Sequence, residues 1–227
     1  MTSAPLGVLY FSDVLCVWAY SGQIRLDELR KKMGDKIHIQ DRFLNIYGDV
    51  PGRIQKHTGD ADEPARAYAE RMRGVAARFD HTKMSERCFT EVQPKSSNQA
   101  HLLLCAVRSL LDDEKLEVDF TDLVRSMRLA FFEQARDIGR LDVLFGLLEE
   151  HDVAREPVEA LLADGTAMAA LSSDLLKKDE LSVAGSPTYI LDGGREKLFG
   201  NVGYRVIEAN VVELLEATED RRGASWC

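Results

Sequence analysis

A chain of 227 residues with 45% hydrophobic and 30% charged side chains has the make-up of a globular protein with one large domain, or one domain carrying a sizeable insertion. Its formal net charge of −9 leaves no broad basic surface for a phosphate backbone, which argues against a nucleic-acid partner. No stretch approaches the ~18 apolar residues of a membrane span, and Met1-Thr2-Ser3-Ala4-Pro5 has no basic n-region, so a cytoplasmic location with no membrane partner is expected.

In chain order, the apolar run from Leu6 to Phe11 reads as a first strand that stops at Ser12-Asp13. Apolar residues Val17, Tyr20, Ile24, Leu26 and Leu29 then mark a helix to about Lys32, with Arg30, Lys31 and Lys32 suiting its C-terminal dipole and Gly34 near its cap. Ile37 to Leu44 alternate as a second strand, which makes a βαβ unit with a right-handed crossover and parallel pairing. Residues 45–62, polar and glycine-bearing, read as a long irregular connection. From Glu63 the pattern is helix after helix, opening with Pro64 and with Tyr68, Met72, Val75, Ala76 and Phe79 at helical spacing. Further helices are expected over 98–111, 120–134, 140–150, 156–162 and 166–178. Strand signals return only at 188–191 and 196–199, with Asp192-Gly193 between them as a hairpin turn, and an amphipathic helix over 204–218 closes the chain. The expected fold class is α/β, a thioredoxin fold with a large all-helical insertion. Residues 1–62 and 179–227 supply its β-α-β and β-β-α halves, and 63–178 form the inserted helical subdomain.

The four cysteines, Cys16, Cys88, Cys105 and Cys227, show no zinc-ligand spacing, so no metal site is expected, and a reducing compartment argues against a structural disulfide framework. Cys16 sits where a strand hands over to a helix N-terminus, whose free N–H groups and dipole favour a thiolate. Against reactivity stand Leu15, Val17 and Trp18, which would bury it as a small inert hydrophobe. Cys105, inside an apolar helical run, reads as core; Cys88 follows a charged stretch and is left unassigned. Pro187, in Gly185-Ser186-Pro187-Thr188-Tyr189-Ile190, is either a strand opener or the second residue of a cis bond in a turn facing the thiol. Asp13 is either a turn residue or a carboxylate that raises the neighbouring thiol pKa. Trp18 is packing or an aromatic wall for a ligand, and His101 a satisfied histidine or an acid–base group facing the cleft.

Taken together, Ser12-Asp13-x-x-Cys16-x-Trp18-x-Tyr20 after a strand, an insertion with Asn98-Gln99-Ala100-His101, Leu129-Ala130-Phe131-Phe132 and Asp137-Ile138, and Gly185-Ser186-Pro187-Thr188-Tyr189-Ile190 before a hairpin resemble the DsbA family of thioredoxin-fold proteins, over about residues 6–218. Within it the resemblance is to the cytoplasmic branch of FrnE-type proteins, 2-hydroxychromene-2-carboxylate isomerases and kappa-class glutathione transferases. It implies Cys16 as the nucleophilic cysteine, Pro187 as the cis-proline, Ser186 and Trp18 as substrate-binding neighbours, and a thiol or disulfide substrate: glutathione, a peptide or a small electrophile. It departs from the family at Ala19, where dithiol oxidases carry a second cysteine. The expected function is therefore thiol–disulfide exchange through one cysteine and a mixed disulfide. Either external glutathione, as co-substrate, or Cys227 at the chain end would resolve that adduct, and no tightly bound cofactor is expected. Two alternatives stay open, a glutathione-dependent transferase or isomerase and a non-catalytic binding module. The transferase-type relatives usually have serine at the Cys16 position and a Gly-Asn-Asp-Arg-like stretch where this chain reads Gly200-Asn201-Val202-Gly203-Tyr204-Arg205. A homodimer is also left open.

Overall fold

Strand β1 (Leu6–Ser12) lies between two neighbours in the computed structural model, which describes residues 4–219 and their side chains to residue 216. It pairs in parallel with β2 (Ile37–Phe43), Leu6 opposite Ile37 and Ser12 opposite Phe43. It pairs antiparallel with β3 (Thr188–Leu191), Tyr10 opposite Tyr189. Strand β4 (Glu196–Phe199) adds antiparallel to β3, giving the order β2-β1-β3-β4. The two-residue period of a strand sorts its side chains between the two faces of the sheet. Leu6, Val8 and Tyr10 pack with Leu26 and Leu29 of α1 (Val17–Met33) and Ile207 and Val211 of α9 (Tyr204–Glu219), while Phe11 joins Leu44, Val183 and Ile190 on the other face.

Between β2 and β3 run α2 (Val50–Thr58), α3 (Pro64–Ala76), α4 (Asn98–Asp112), α5 (Phe120–Phe132), α6 (Leu141–Glu149), α7 (Arg155–Ala163) and α8 (Thr166–Glu180). Helix α2 lies inside residues 45–62, which the sequence suggested were irregular. The Asp49 side chain caps it by accepting the Gly52 N–H at 3.0 Å, and Pro51 fits its first turn. A Cβ on Gly52 would lie 2.1 Å from the Asp49 carboxylate, so the glycine that looked like a loop signal makes room for the cap. The β3–β4 connection also differs from a two-residue turn. Leu191 pairs with Glu196, and Asp192, Gly193 and Gly194 take φ of 48°, 67° and 109° in succession, a left-handed run suited to glycine.

Helices and sheet are tied together by the buried Asp174 of α8. It accepts from Arg42 Nη1 of β2 at 2.9 Å, from both terminal nitrogens of Arg108 of α4 at 3.0 Å, and from the Phe43 N–H at 3.0 Å. A second buried carboxyl is less well served. Asp41, opposite Tyr10 in the sheet and 2% exposed, has its pKa raised to about 6 by desolvation, against the lowering effect of Arg128, Arg108 and Arg30. Arg128 is itself 1% exposed, donating from Nη2 to Ser12 Oγ at 2.7 Å and from Nη1 to Gln23 Oε1.

An acid whose pKa rises from 3.8 to about 6 on folding holds its proton more tightly in the folded state, so stability falls as pH rises through that window. At pH 7 the ionised Asp41 destabilises the fold by on the order of 3 kcal/mol. The Asp41→Asn protein should therefore have a higher urea midpoint than wild type at pH 7, with the difference shrinking as pH falls and gone near pH 3.

Candidate active site

The turn after β1 is shaped by Asp13. Its Oδ1 accepts the Leu15 N–H at 2.9 Å and its carbonyl accepts the Cys16 N–H at 3.0 Å, so the chain reverses within four residues. The turn delivers Cys16 to the N-cap of α1 with φ −82° and ψ 113°, its carbonyl accepting the Tyr20 N–H. Asp13 is fully buried, and its second oxygen accepts from the Tyr47 N–H at 2.8 Å and from Ser97 Oγ at 2.9 Å. The Ser97 N–H in turn donates to the Tyr47 carbonyl at 2.9 Å, closing the ring of contacts. His101 supports the same turn from below. The Val14 N–H donates to its Nε2 at 3.2 Å, and its ring stacks on Phe43 with centroids 4.9 Å apart. Burial lowers the His101 pKa, and acceptance at Nε2 leaves the proton on Nδ1 of a neutral ring. His101 is a buried support and does not line the cleft.

The wall opposite Cys16 is the segment before β3. The Ser186–Pro187 peptide is cis, and the Ser186 carbonyl accepts from Cys16 Sγ at 3.5 Å. Ser186 Oγ accepts the Asp13 N–H at 3.1 Å, so one residue touches both the thiol and the turn that carries it. Thr188 Oγ1 donates to the Gly185 carbonyl at 2.6 Å and the Gly200 N–H to the Pro187 carbonyl at 2.8 Å, which fixes the segment. Gly185 lies under the Phe199 ring, where an added Cβ would come within 3.1 Å.

Electrostatics at the thiol runs against the expectation drawn from its helix position. Burial pushes the Cys16 pKa up. The Ser186 side chain and the N–H groups of Ala19 and Trp18 favour the thiolate, while the Asp13 charge opposes it. The helix N–H groups are present, but with Cys16 only 5% exposed desolvation outweighs them. The other described thiols are structural. Burial pushes Cys88 up to about 11 and Cys105 up to about 12, and Cys88 Sγ donates to the Phe131 carbonyl at 3.0 Å. Cys227, the candidate resolving cysteine, lies outside the described residues. Among the described residues no group of histidines, cysteines and acids is arranged to hold a metal ion.

In front of Cys16 opens a cleft of about 680 Å³. Trp18, Ile46 and Phe199 form its apolar part, and Arg53, Arg71 and Arg78 its cationic part, with His57 beside them. Arg53 is held by its Nε donating to the Tyr68 hydroxyl at 3.1 Å and by its guanidinium lying 4.5 Å over the Tyr47 ring. The Tyr47 and Tyr68 hydroxyls share a 2.8 Å hydrogen bond. Arg78 lies 5.9 Å from the centre of the Trp18 ring. Of the residues nominated from sequence, Cys16, Trp18 and Ser186 line this cleft and Pro187 adjoins it. Sequence reasoning missed Tyr47, Arg53, Tyr68 and Ser97. An Asp49-Val50-Pro51 helix start would have signalled α2 and, with it, a placed Arg53.

The family model for the DSBA-like thioredoxin domain matches residues 7–211. The chain belongs to that family. Solved structures sharing the DsbA-like fold include the cytosolic disulfide reductase DsbM from Pseudomonas aeruginosa, at 16% identity and TM-score 0.68, covering 92% of this chain and 100% of that one. A probable DsbA oxidoreductase from Streptomyces coelicolor matches at 19% identity and TM-score 0.71, covering 98% and 94%. A 2-hydroxychromene-2-carboxylate isomerase matches at 17% and 0.66, covering 96% and 100%. No curated protein sequence matches the chain significantly. Among the described residues no helix is long and apolar enough to cross a membrane.

The Asp13 contacts are testable as stability. Asp13→Asn places an amide donor against one of three donors and should lose about 2–3 kcal/mol in urea denaturation followed by tryptophan fluorescence. Ser97→Ala, which removes a single donor to that carboxylate, should lose about 1.5 kcal/mol.

Proposed function

We propose that this DsbA-family protein is a thiol–disulfide oxidoreductase that works through Cys16 alone. The observation that carries the reading is a single thiol at the N-cap of α1, in contact with the Ser186 carbonyl beside the cis Ser186–Pro187 bond, with Ala19 where a second cysteine would close an internal disulfide. Cys16 first loses its proton, and the Trp18 and Ala19 N–H groups and the Ser186 side chain stabilise the thiolate. The thiolate attacks one sulfur of a bound disulfide and forms a new S–S bond as the old one breaks. The departing thiolate takes up a proton, leaving Cys16 in a mixed disulfide. With no cysteine three residues on, a second thiol from outside completes the cycle, and glutathione is the proposed co-substrate. A structure of DsbM from Pseudomonas aeruginosa with GSH supports that choice by analogy of fold. A reducing, cytoplasmic setting fits the reading, in line with the name cytosolic that DsbM carries. A second reading, a glutathione-dependent isomerase of the 2-hydroxychromene-2-carboxylate type, draws on the cationic side of the cleft, which suits a carboxylate-bearing substrate.

In a Cys227→Ser background, incubation with oxidised glutathione followed by intact-mass measurement should show one glutathionyl adduct, and none when Cys16→Ser is added. An unmodified wild-type protein that isomerises a chromene carboxylate with glutathione would favour the second reading instead.

The pH profile follows from the raised thiol pKa. Each pH unit below that pKa leaves about tenfold less thiolate, so adduct formation should climb about tenfold per unit between pH 6 and 8. A rate already level at pH 7 would contradict the burial argument.

A further inference from the structure

The protein carries a net charge of −9, yet among the described residues no carboxylate lines the cleft in front of Cys16, and three arginines do. Arg53 comes from α2, Arg71 from α3, and Arg78 follows the end of α3, so separate turns of chain bring the charges to one wall. Arg53 is fixed by Tyr68, by the Tyr47 ring and by the Ile46 carbonyl, which accepts from Nη1 at 3.5 Å; these contacts use two of its five N–H donors and leave others for a ligand. Arg71 and Arg78 are exposed at the rim. Repulsion among the cations is already felt at His57, whose pKa is lowered by partial burial and then by Arg53, Arg71 and Lys56. Cys16 is only 5% exposed, so its sulfur is reached through this cleft by a slender molecule.

We propose that the cleft selects small disulfides bearing carboxylates over neutral or cationic ones, with Arg71 and Arg78 as specificity-determining residues. This rests on the single-cysteine reading above. The guanidinium charges act within the roughly 8 Å over which charge is felt at physiological salt. They reverse, at the cleft mouth, the repulsion that an acidic protein exerts on an anion, and a charged cleft wall focuses such a ligand. The exchange is balanced without a further reactant. Cys16–SH and RSSR give Cys16–S–S–R and RSH; Cys16 is oxidised, one R–S sulfur is reduced, and the proton lost by Cys16 ends on the departing thiol.

Three disulfides of similar size provide the test: 3,3′-dithiodipropionate (anionic), cystamine (cationic) and bis(2-hydroxyethyl) disulfide (neutral). Adduct formation at Cys16 is timed by intact mass, with Cys227→Ser in every protein so that the chain-end thiol does not contribute, and corrected for each reagent's rate with free 2-mercaptoethanol. The charged reagents are expressed relative to the neutral one within each protein, so a general loss of activity cancels. Wild type should favour the anion over the cation by about tenfold or more at low salt, with the preference shrinking in high salt. R71Q/R78Q should bring the ratio towards one, and R71E/R78E should invert it. Equal corrected rates in wild type, or a ratio unmoved in R71E/R78E, overturn the proposal while leaving Cys16 as the exchanging thiol. No adduct with any of the three reagents overturns the single-cysteine reading and the selectivity with it.

Discussion

The candidate site hangs on one buried carboxylate. Asp13 gathers the Leu15 N–H from its own turn, the Tyr47 N–H from the chain after β2 and the Ser97 hydroxyl from the start of α4, and its own N–H reaches Ser186 before β3. Four segments far apart in sequence are thereby held at one point. Each contact to an ionised, buried acceptor is among the stronger hydrogen bonds a protein makes, and leaving any donor unpaired would carry a full desolvation penalty. The arrangement is therefore close to all-or-none. Cys16 belongs to that turn, and Tyr47 and Ser186, which meet it in the cleft, are two of Asp13's partners.

That rigidity sets the chemistry of the thiol. A cysteine at an exposed helix N-terminus would be ionised by the dipole and the free N–H groups. Here the same packing that fixes Cys16 also removes it from water, and desolvation prevails over the N–H groups of Ala19 and Trp18. A thiol kept protonated is a poor nucleophile at rest, but its thiolate, once formed, is intrinsically more nucleophilic than that of an acidic thiol, and it is a poorer leaving group. In the proposed exchange, a sulfur that leaves poorly and has no second cysteine at Ala19 beside it makes the attack of an outside thiol on the mixed disulfide the slow half of the cycle.

The order of strands, the βαβ start and the helical block were legible because burial patterns of period two and of helical period are local. So was the place of Cys16, since a strand ending at Ser12-Asp13 and a helix pattern starting a few residues later can be seen in one glance along the chain. The network behind it was not. Asp13 looked like a turn residue, which it is, but its pairing with Tyr47 and Ser97 depends on where α4 begins relative to β2, and no local pattern records that. Helix α2 was hidden by Gly52, whose missing side chain makes room for the Asp49 cap and mimics a loop. With α2 unread, Arg53 had no position, and the cationic wall could not be inferred. Burial was the other blind spot: the residues Leu15, Val17 and Trp18 signalled it, but its weight against the helix dipole is a matter of tertiary packing.

The contrast between an acidic molecule and a basic cleft bears on why the wall is built as it is. On a surface of opposite overall sign, scattered lysines would be neutralised by neighbouring carboxylates and would hold no ligand in a fixed pose. Guanidinium groups resting on aromatic rings, Arg53 on Tyr47 and Arg78 near Trp18, stay charged, lose little conformational freedom on meeting a ligand, and present planar donors suited to a carboxylate. Trp18 is one of the two residues whose N–H groups favour the Cys16 thiolate. In the proposed selectivity, a ligand that engages Arg78 would lie against the Trp18 ring, two residues from Cys16, which would couple recognition of charge at the rim to position at the thiol.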